Sequence, residues 1–354
     1  MNINDYISKG MFKNSLGNHH TFPLCISVCK FDDLSRFEEV NIEVDQAGCI
    51  TQYREPRIFQ AGSISKTIFS LAVMKLATQG ILNLDADVNQ YLRNWQLEDL
   101  NDKNSTATIR QILSHSAGIS ITSFPGYNLT APLPELINIL NGEYPANTGK
   151  VGIIGQPGQS FQYSGGGTTI AQKAVMDLLQ QDFPSLMRAL ILEPTGMNNS
   201  TYQQSLPSEL SEKMTIGHDI NGHQVTGGYH IYPEMAAAGL WSTALDLATL
   251  GMEVINTLQG NPSTLGLSQD TLESMVQPQT PDISEDSFVG LGWFCNQKNG
   301  NLCLSHAGQT EGFIAQLSLI PRENKGISIM INSLDGWPMV QHLLTDLGFS
   351  PAST

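Results

Sequence analysis

The sequence is poor in charge. Only 14% of its 354 residues are Asp, Glu, Lys or Arg, against a usual quarter. Basic residues are the scarcer kind: 18 Lys and Arg stand against 33 Asp and Glu, a formal net charge of −15. That balance excludes a nucleic-acid backbone as partner, because phosphates need a basic face. It also excludes steering of anionic ligands by the overall field. No apolar run reaches membrane-spanning length, and the opening residues lack the apolar core of a signal peptide. The expectation is a cytoplasmic protein, or an exported one whose leader has been removed. The Gly-x-Ser-x-Gly nucleophile elbow is missing, as is a phosphate loop ending in Gly-Lys-Ser/Thr. No His/Cys set has zinc-ligand spacing. His218, His223 and His230 are scattered through a Gly-rich stretch, and His19 and His20 stand near the start. A metal-dependent hydrolase built on the 218–230 loop is therefore the weaker alternative, and no metal or cofactor is expected.

The five cysteines are an odd number. Cys25 and Cys29 sit in an apparent strand at a spacing that puts them on one face, too far apart to bridge. Cys295 and Cys303 flank a turn around Asn299-Gly300 and could face each other across two strands. Free buried thiols are the expectation in a reducing compartment.

What the chain does have is the composition of a folded protein: 40% hydrophobic residues, with 32 glycines besides. It is long enough to bury a core without disulfides. Residues 22–55 read as β, with a turn at Asp-Gln-Ala-Gly, 45–48. From Ile64 the period changes to 3.6 and runs to Gly80, a helix with a glycine terminus. Further helices read at 168–181, 185–193 and 243–258, where Thr243 and Asp246 resemble a capping pair. The C-terminal part returns to β and ends in an amphipathic segment, 337–349. The expected fold is α+β: an antiparallel sheet built from both chain ends, flanked by helices, with an inserted mainly helical lobe. It reads as one domain, 1–354. An α/β lobe takes about 20–62 and 286–354, and the helical lobe takes about 63–285. The active site is expected at the seam, where residues 227–235 could line the cleft.

Ser-x-x-Lys occurs twice. Ser27 and Lys30 lie in a β run, where positions three apart point to opposite faces. Ser63 and Lys66 lie at a helix start, where positions three apart share a face. There the amine can reach the hydroxyl, and free N–H groups favour an oxyanion at the acyl carbon. A lysine in a partly dry cleft can act as general base. A second piece is Tyr163-Ser164-Gly165-Gly166-Gly167, whose tyrosine could pass a proton to and from the lysine and the leaving group. The third is Ser305-His306-Ala307-Gly308-Gln309 on a predicted strand. Its small residues let a substrate lie along the edge, and the Gln309 N–H could join that of Ser63 as oxyanion donor.

In this order and on these elements, the three motifs resemble the penicillin-recognising serine hydrolases: class C β-lactamases, DD-peptidases and related esterases and amidases. The similarity extends to Arg110–Ile119, Leu192–Met197, Ala237–Asp246, Gly312-Phe313 and Asn332. It implies that Ser63 is acylated, that Lys66 is its base or proton partner, and that Tyr163 shares the proton work. His306 takes the place usually held by a lysine. Ser63 and Gln309 form the oxyanion hole, and Gly165, Ala238, Ala307 and Gly308 border the substrate. Three departures stand out. Gly165 replaces a usual Asn, His306 replaces a permanent cation, and Ala238 stands where class C enzymes tend to have tyrosine. The expected function is thus an acyl-enzyme serine hydrolase acting on an ester, amide or small peptide. A true β-lactamase or D-Ala-D-Ala carboxypeptidase is one alternative. A non-catalytic ligand-binding or scaffold protein on the same fold is the other.

Overall fold

The fold is that of a computed structural model, which describes residues 24–45, 49–101, 103–280, 283–284, 286–298 and 300–349. The proposed turn at 46–48, Asn299, His19 and His20, and the chain start lie outside the described residues. Ten strands are present among the described residues: β1 (Leu24–Phe31), β2 (Glu38–Val44), β3 (Ile50–Gln52), β4 (Phe59–Gly62), β5 (Leu240–Ser242), β6 (Ser287–Val289), β7 (Phe294–Lys298), β8 (Asn301–Thr310), β9 (Phe313–Ile320) and β10 (Lys325–Ile331). Six helices matter for the site: α1 (Ile64–Thr78), α2 (Ile109–Leu113), α3 (Gly165–Leu179), α4 (Met235–Ala238), α5 (Ala244–Leu258) and α6 (Trp337–Asp346).

Eight strands form one sheet in the order β3-β2-β1-β10-β9-β8-β7-β6. The two ends of the chain meet at its centre, where β1 pairs antiparallel with β10 and Ile26 lies opposite Ile331. Period-2 alternation dresses both faces. Leu24, Ile26 and Val28 join Ile327, Ile329, Ile331 and the apolar side of α6 in one core. Cys25, Cys29 and Phe31 join Leu317, Leu319, α1 and α5 in the other. Antiparallel pairing with helices on both faces thus agrees with the α+β expectation. The Ser27 and Lys30 side chains part as alternation requires. Ser27 bonds Asn41, and Lys30 pairs with Asp32 and Glu38.

Alternation also separates Cys295 and Cys303. Cys295 lies opposite Leu304, whereas Cys303 lies opposite Asn296. Their side chains sit in different cores, so they cannot face each other, and both are free. At α5 the Thr243 hydroxyl accepts from Asp246 N at 3.1 Å. The Asp246 carboxylate takes bonds from Ser200 Oγ and Asn199 N. Among the described residues, no helix is long and apolar enough to cross a membrane.

Candidate active site

Ser63 sits between β4 and α1, half-buried. Helix α1 is apolar nearly all round, the pattern of a core helix. Its polar residues are satisfied by backbone carbonyls: Ser65 Oγ donates to Gly62 O at 2.5 Å, and Thr67 Oγ1 donates to Gly292 O at 2.7 Å. The entry needs two glycines. Gly62 has φ +51°, and a Cβ there would lie 2.6 Å from Gln309 N. A Cβ on Gly308 would lie 2.0 Å from Ala61 O and 3.1 Å from Ser63 N. The backbones of β8 and the β4–α1 junction therefore touch, which brings the Ser63 and Gln309 amides into one neighbourhood. Two such donors can hold the negative oxygen of a tetrahedral intermediate.

Lys66 is 4% exposed. Its Nζ donates to Ser63 Oγ at 2.9 Å and to Ala237 O at 2.6 Å. The second acceptor belongs to the last turn of α4, where carbonyls lack helical partners. Nζ also lies 5.1 Å from the centroid of the Tyr163 ring, a cation–π contact rather than a hydrogen bond to the hydroxyl. Lys66 has no ion-pair partner among the described residues.

Two imidazoles flank this ammonium group. His306 lies on β8 opposite Leu317, pointing toward the α1 side of the sheet. Its Nδ1 lies 2.7 Å from Ala307 O. A carbonyl only accepts, so Nδ1 carries the proton and Nε2 is a bare acceptor. That Nε2 is buried with no hydrogen-bond partner among the described residues. Burial, and then the Lys66 charge, push the His306 pKa down to about 3, so the ring is neutral at neutral pH. His115 accepts from Ser164 N through Nδ1 at 3.2 Å, which places its proton on Nε2. Burial, then Lys66 and His306, hold its pKa well below the usual value. The Tyr163 ring lies 4.3 Å from that of His115 and 6.4 Å from that of His306.

A cleft of about 400 Å³ opens from Ser63 along Ala307–Glu311, walled by Phe124, Tyr232 and Trp337. Trp337 Nε1 donates to Gln309 Oε1 at 2.9 Å, tying α6 to the strand edge. Ser63, Lys66, Tyr163 and His306 are thus brought together, with Gln309, Ala307 and Gly308 alongside. Gly165 and Ala238 are not on the cleft surface. Gly165 opens α3 behind Phe124, where an added Cβ would lie 3.2 Å from that ring. Ala238 is buried in a small cluster with Phe124 and Tyr232. Of the 227–235 segment, Tyr232 reaches the cleft, whereas Tyr229 packs on Trp241 with ring centroids 4.9 Å apart. The three histidines of 218–230 have separate partners: Asn332 O for His218, Asp219 for His223 and Pro125 O for His230. Among the described residues, no group of three or more His, Cys, Asp or Glu is placed to hold a metal ion.

Sequence reasoning did not single out Phe124, His115, Ala237, Glu311 or Trp337. His115 had a signal, since it lies inside the motif at 110–119. Ala237 likewise opens the matched segment at 237–246, whereas Phe124, Glu311 and Trp337 had none. Ala237 acts through its backbone, and Phe124, Glu311 and Trp337 reach the cleft by tertiary placement.

A serine and a lysine at a helix start, facing a strand edge across a cleft, define the architecture of the acyl-transfer hydrolases described above. The sequence profile of the Beta-lactamase family matches residues 39–345, and the chain belongs to that family. Protein flp of Staphylococcus aureus (strain N315) is 25% identical over 303 residues, covering 82% of this chain and 56% of that protein. The chain therefore spans about half the length of the curated relatives it matches. The solved β-lactamase/D-alanine carboxypeptidase of Yersinia pestis aligns with a TM-score of 0.70 at 19% identity, over 98% of this chain and 97% of that one. The D-amino acid amidase of Ochrobactrum anthropi aligns with a TM-score of 0.68 at 16% identity, over 98% and 96%. At those identities the likeness establishes the shared fold.

Proposed function

We propose that the protein is a serine hydrolase that works through an acyl-enzyme on an ester, amide or small peptide. The observation that carries this reading is the 2.9 Å bond between Lys66 Nζ and Ser63 Oγ at the mouth of the cleft. In its neutral amine form, Lys66 takes the hydroxyl proton as Ser63 attacks the carbonyl carbon. The amides of Ser63 and Gln309 hold the oxyanion, and Tyr163, whose ring lies 5.1 Å from Lys66 Nζ, takes a share of the proton transfer to the leaving group as the resemblance implies. Water then cleaves the acyl-enzyme by the same route in reverse. Neutral His306 offers no charge for a substrate carboxylate, which favours esters and amides over β-lactams and D-Ala-D-Ala peptides. The proteins that share the fold include both an amidase and a carboxypeptidase, so substrate choice rests on this charge argument.

The test is intact-protein mass spectrometry after incubation with a fluorophosphonate, with penicillin and with a short-chain p-nitrophenyl ester, followed by peptide mapping. An adduct on Ser63 that disappears in Ser63→Ala is expected, with turnover of the ester. No adduct from any reagent on folded protein overturns the reading in favour of a non-catalytic ligand-binding protein.

A further inference from the structure

We propose that the cleft is built for a substrate that carries a cationic amine near its scissile carbonyl, with Glu311 as the group that recognises it. This rests on the serine-hydrolase reading and adds the charge of the substrate to it.

The argument starts from the charges around the cleft. Among the described residues lining it there is no Lys or Arg, and Glu311 is its one carboxylate. The cation nearest the nucleophile, Lys66, is already engaged by Ser63 Oγ and Ala237 O. His306, which faces the same region, is held neutral by burial. A carboxylate substrate would find no free positive group here, whereas an ammonium group would find a negative one.

The placement of Glu311 suits that task. It is partly exposed, and its carboxylate has no ion-pair or hydrogen-bond partner among the described residues. Its backbone is nonetheless fixed, because Glu311 N donates to Tyr232 Oη at 3.0 Å. Tyr232 is 1% exposed, and its hydroxyl also reaches Pro125 O at 3.4 Å. The acidic turn is thus pinned across the cleft while its side chain stays free. Glu311 opens the two-residue turn between β8 and β9, two residues beyond Gln309 on the same side of the cleft as the oxyanion donor's strand. Phe124 and Trp337 supply aromatic walls, and aromatic faces attract cations. The net charge of −15 raises the local concentration of cations as well.

The test uses two matched substrate pairs. Alanine p-nitroanilide against its N-acetyl derivative places the amine on the acyl side. Acetylcholine against 3,3-dimethylbutyl acetate, its neutral isostere, places the cation on the leaving group. Active sites are counted by fluorophosphonate labelling of Ser63, so that misfolded variants are not scored. For a probe that is not turned over, protection of Ser63 from that label is read instead. The expected result is a preference of about tenfold in kcat/KM for the cationic member of at least one pair. Glu311→Gln should cut it below about twofold, and Glu311→Lys should reverse it. Equal or better use of the neutral member in both pairs overturns the inference, as does a preference that survives Glu311→Gln. The two readings fail differently. Turnover of neutral esters without a charge preference removes only this inference, whereas absence of any Ser63 adduct removes the hydrolase reading beneath it.

Discussion

Glu234 offers a prediction in which protonation reports on packing. Its side chain is fully buried, and neither carboxylate oxygen has a hydrogen-bond partner among the described residues. Burial pushes its pKa from 4.5 up to about 8. The titratable groups it interacts with are the phenols of Tyr127 and Tyr232, both neutral in this range. The folded protein therefore holds a proton at pH 7 that the unfolded chain releases. A raised acid pKa gives stability that is full below the unfolded pKa of 4.5 and is lost as pH rises towards 8. At 1.36 kcal/mol per unit, the loss between pH 5 and pH 8 is about 3–4 kcal/mol. Glu234→Gln keeps the shape and removes the proton. Urea unfolding of both proteins from pH 5 to pH 9 should show the variant gaining on the wild type by that amount as pH rises. A stability difference that stays flat across this range would refute the reasoning. The turn matters to the site, because Glu234 O accepts from Ala237 N and Ala238 N at the start of α4. That helix supplies the carbonyl on Lys66.

Other perturbations test other parts of the geometry. Gly308→Ala would drive a methyl to within 2.0 Å of Ala61 O, so the strand must move; fluorophosphonate labelling of Ser63 should slow by about 100-fold, and an unchanged rate would show that the close approach does not position the site. The depressed pKa of His306, about 3, gives stability present above pH 6.5 and lost as pH falls below it. His306→Asn should therefore close on the wild type by about 2 kcal/mol between pH 8 and pH 5, measured by the same urea titration; a constant gap would mean that His306 takes up a proton in the fold. Cys295 and Cys303 are free on opposite faces, so adding dithiothreitol should shift Tm by less than about 1 °C, whereas a bridge closing that short loop would register as several degrees.

Much of this molecule is written in local patterns. Alternation in Leu24–Phe31 and Lys325–Ile331 is enough to pair the two chain ends, because both strands are apolar on both faces and belong inside a sheet. The contrast between the two Ser-x-x-Lys sequences is also local. Period 2 parts Ser27 from Lys30, and period 3.6 joins Ser63 to Lys66. The cysteine pair shows where such reading fails. A turn at Asn299-Gly300 makes Cys295 and Cys303 look like partners, yet the register sets Lys298 opposite Asn301. Residues facing each other across that turn have numbers summing to 599. Cys295 and Cys303 sum to 598, one step out, and one step turns a side chain to the other face.

The site departs from its motifs in ways that only packing explains. Gly165 stands where an amide side chain is usual, and its loss reads from sequence as a vacancy. In the fold that space is not empty. Phe124, from a loop forty residues earlier in the chain, lies against Gly165 and lines the cleft itself. Lys66 is anchored from another direction, by the carbonyl of Ala237 on α4. The two contacts differ in kind. A carbonyl can still anchor Lys66, so the proton transfer proposed for Ser63 keeps its support. A phenyl ring cannot hydrogen-bond a substrate amide, so recognition must move elsewhere, and the only carboxylate lining the cleft among the described residues is Glu311. In the hydrolase reading proposed above, the substitutions that weaken the resemblance therefore bear more on what the site binds than on the chemistry at a bound carbonyl.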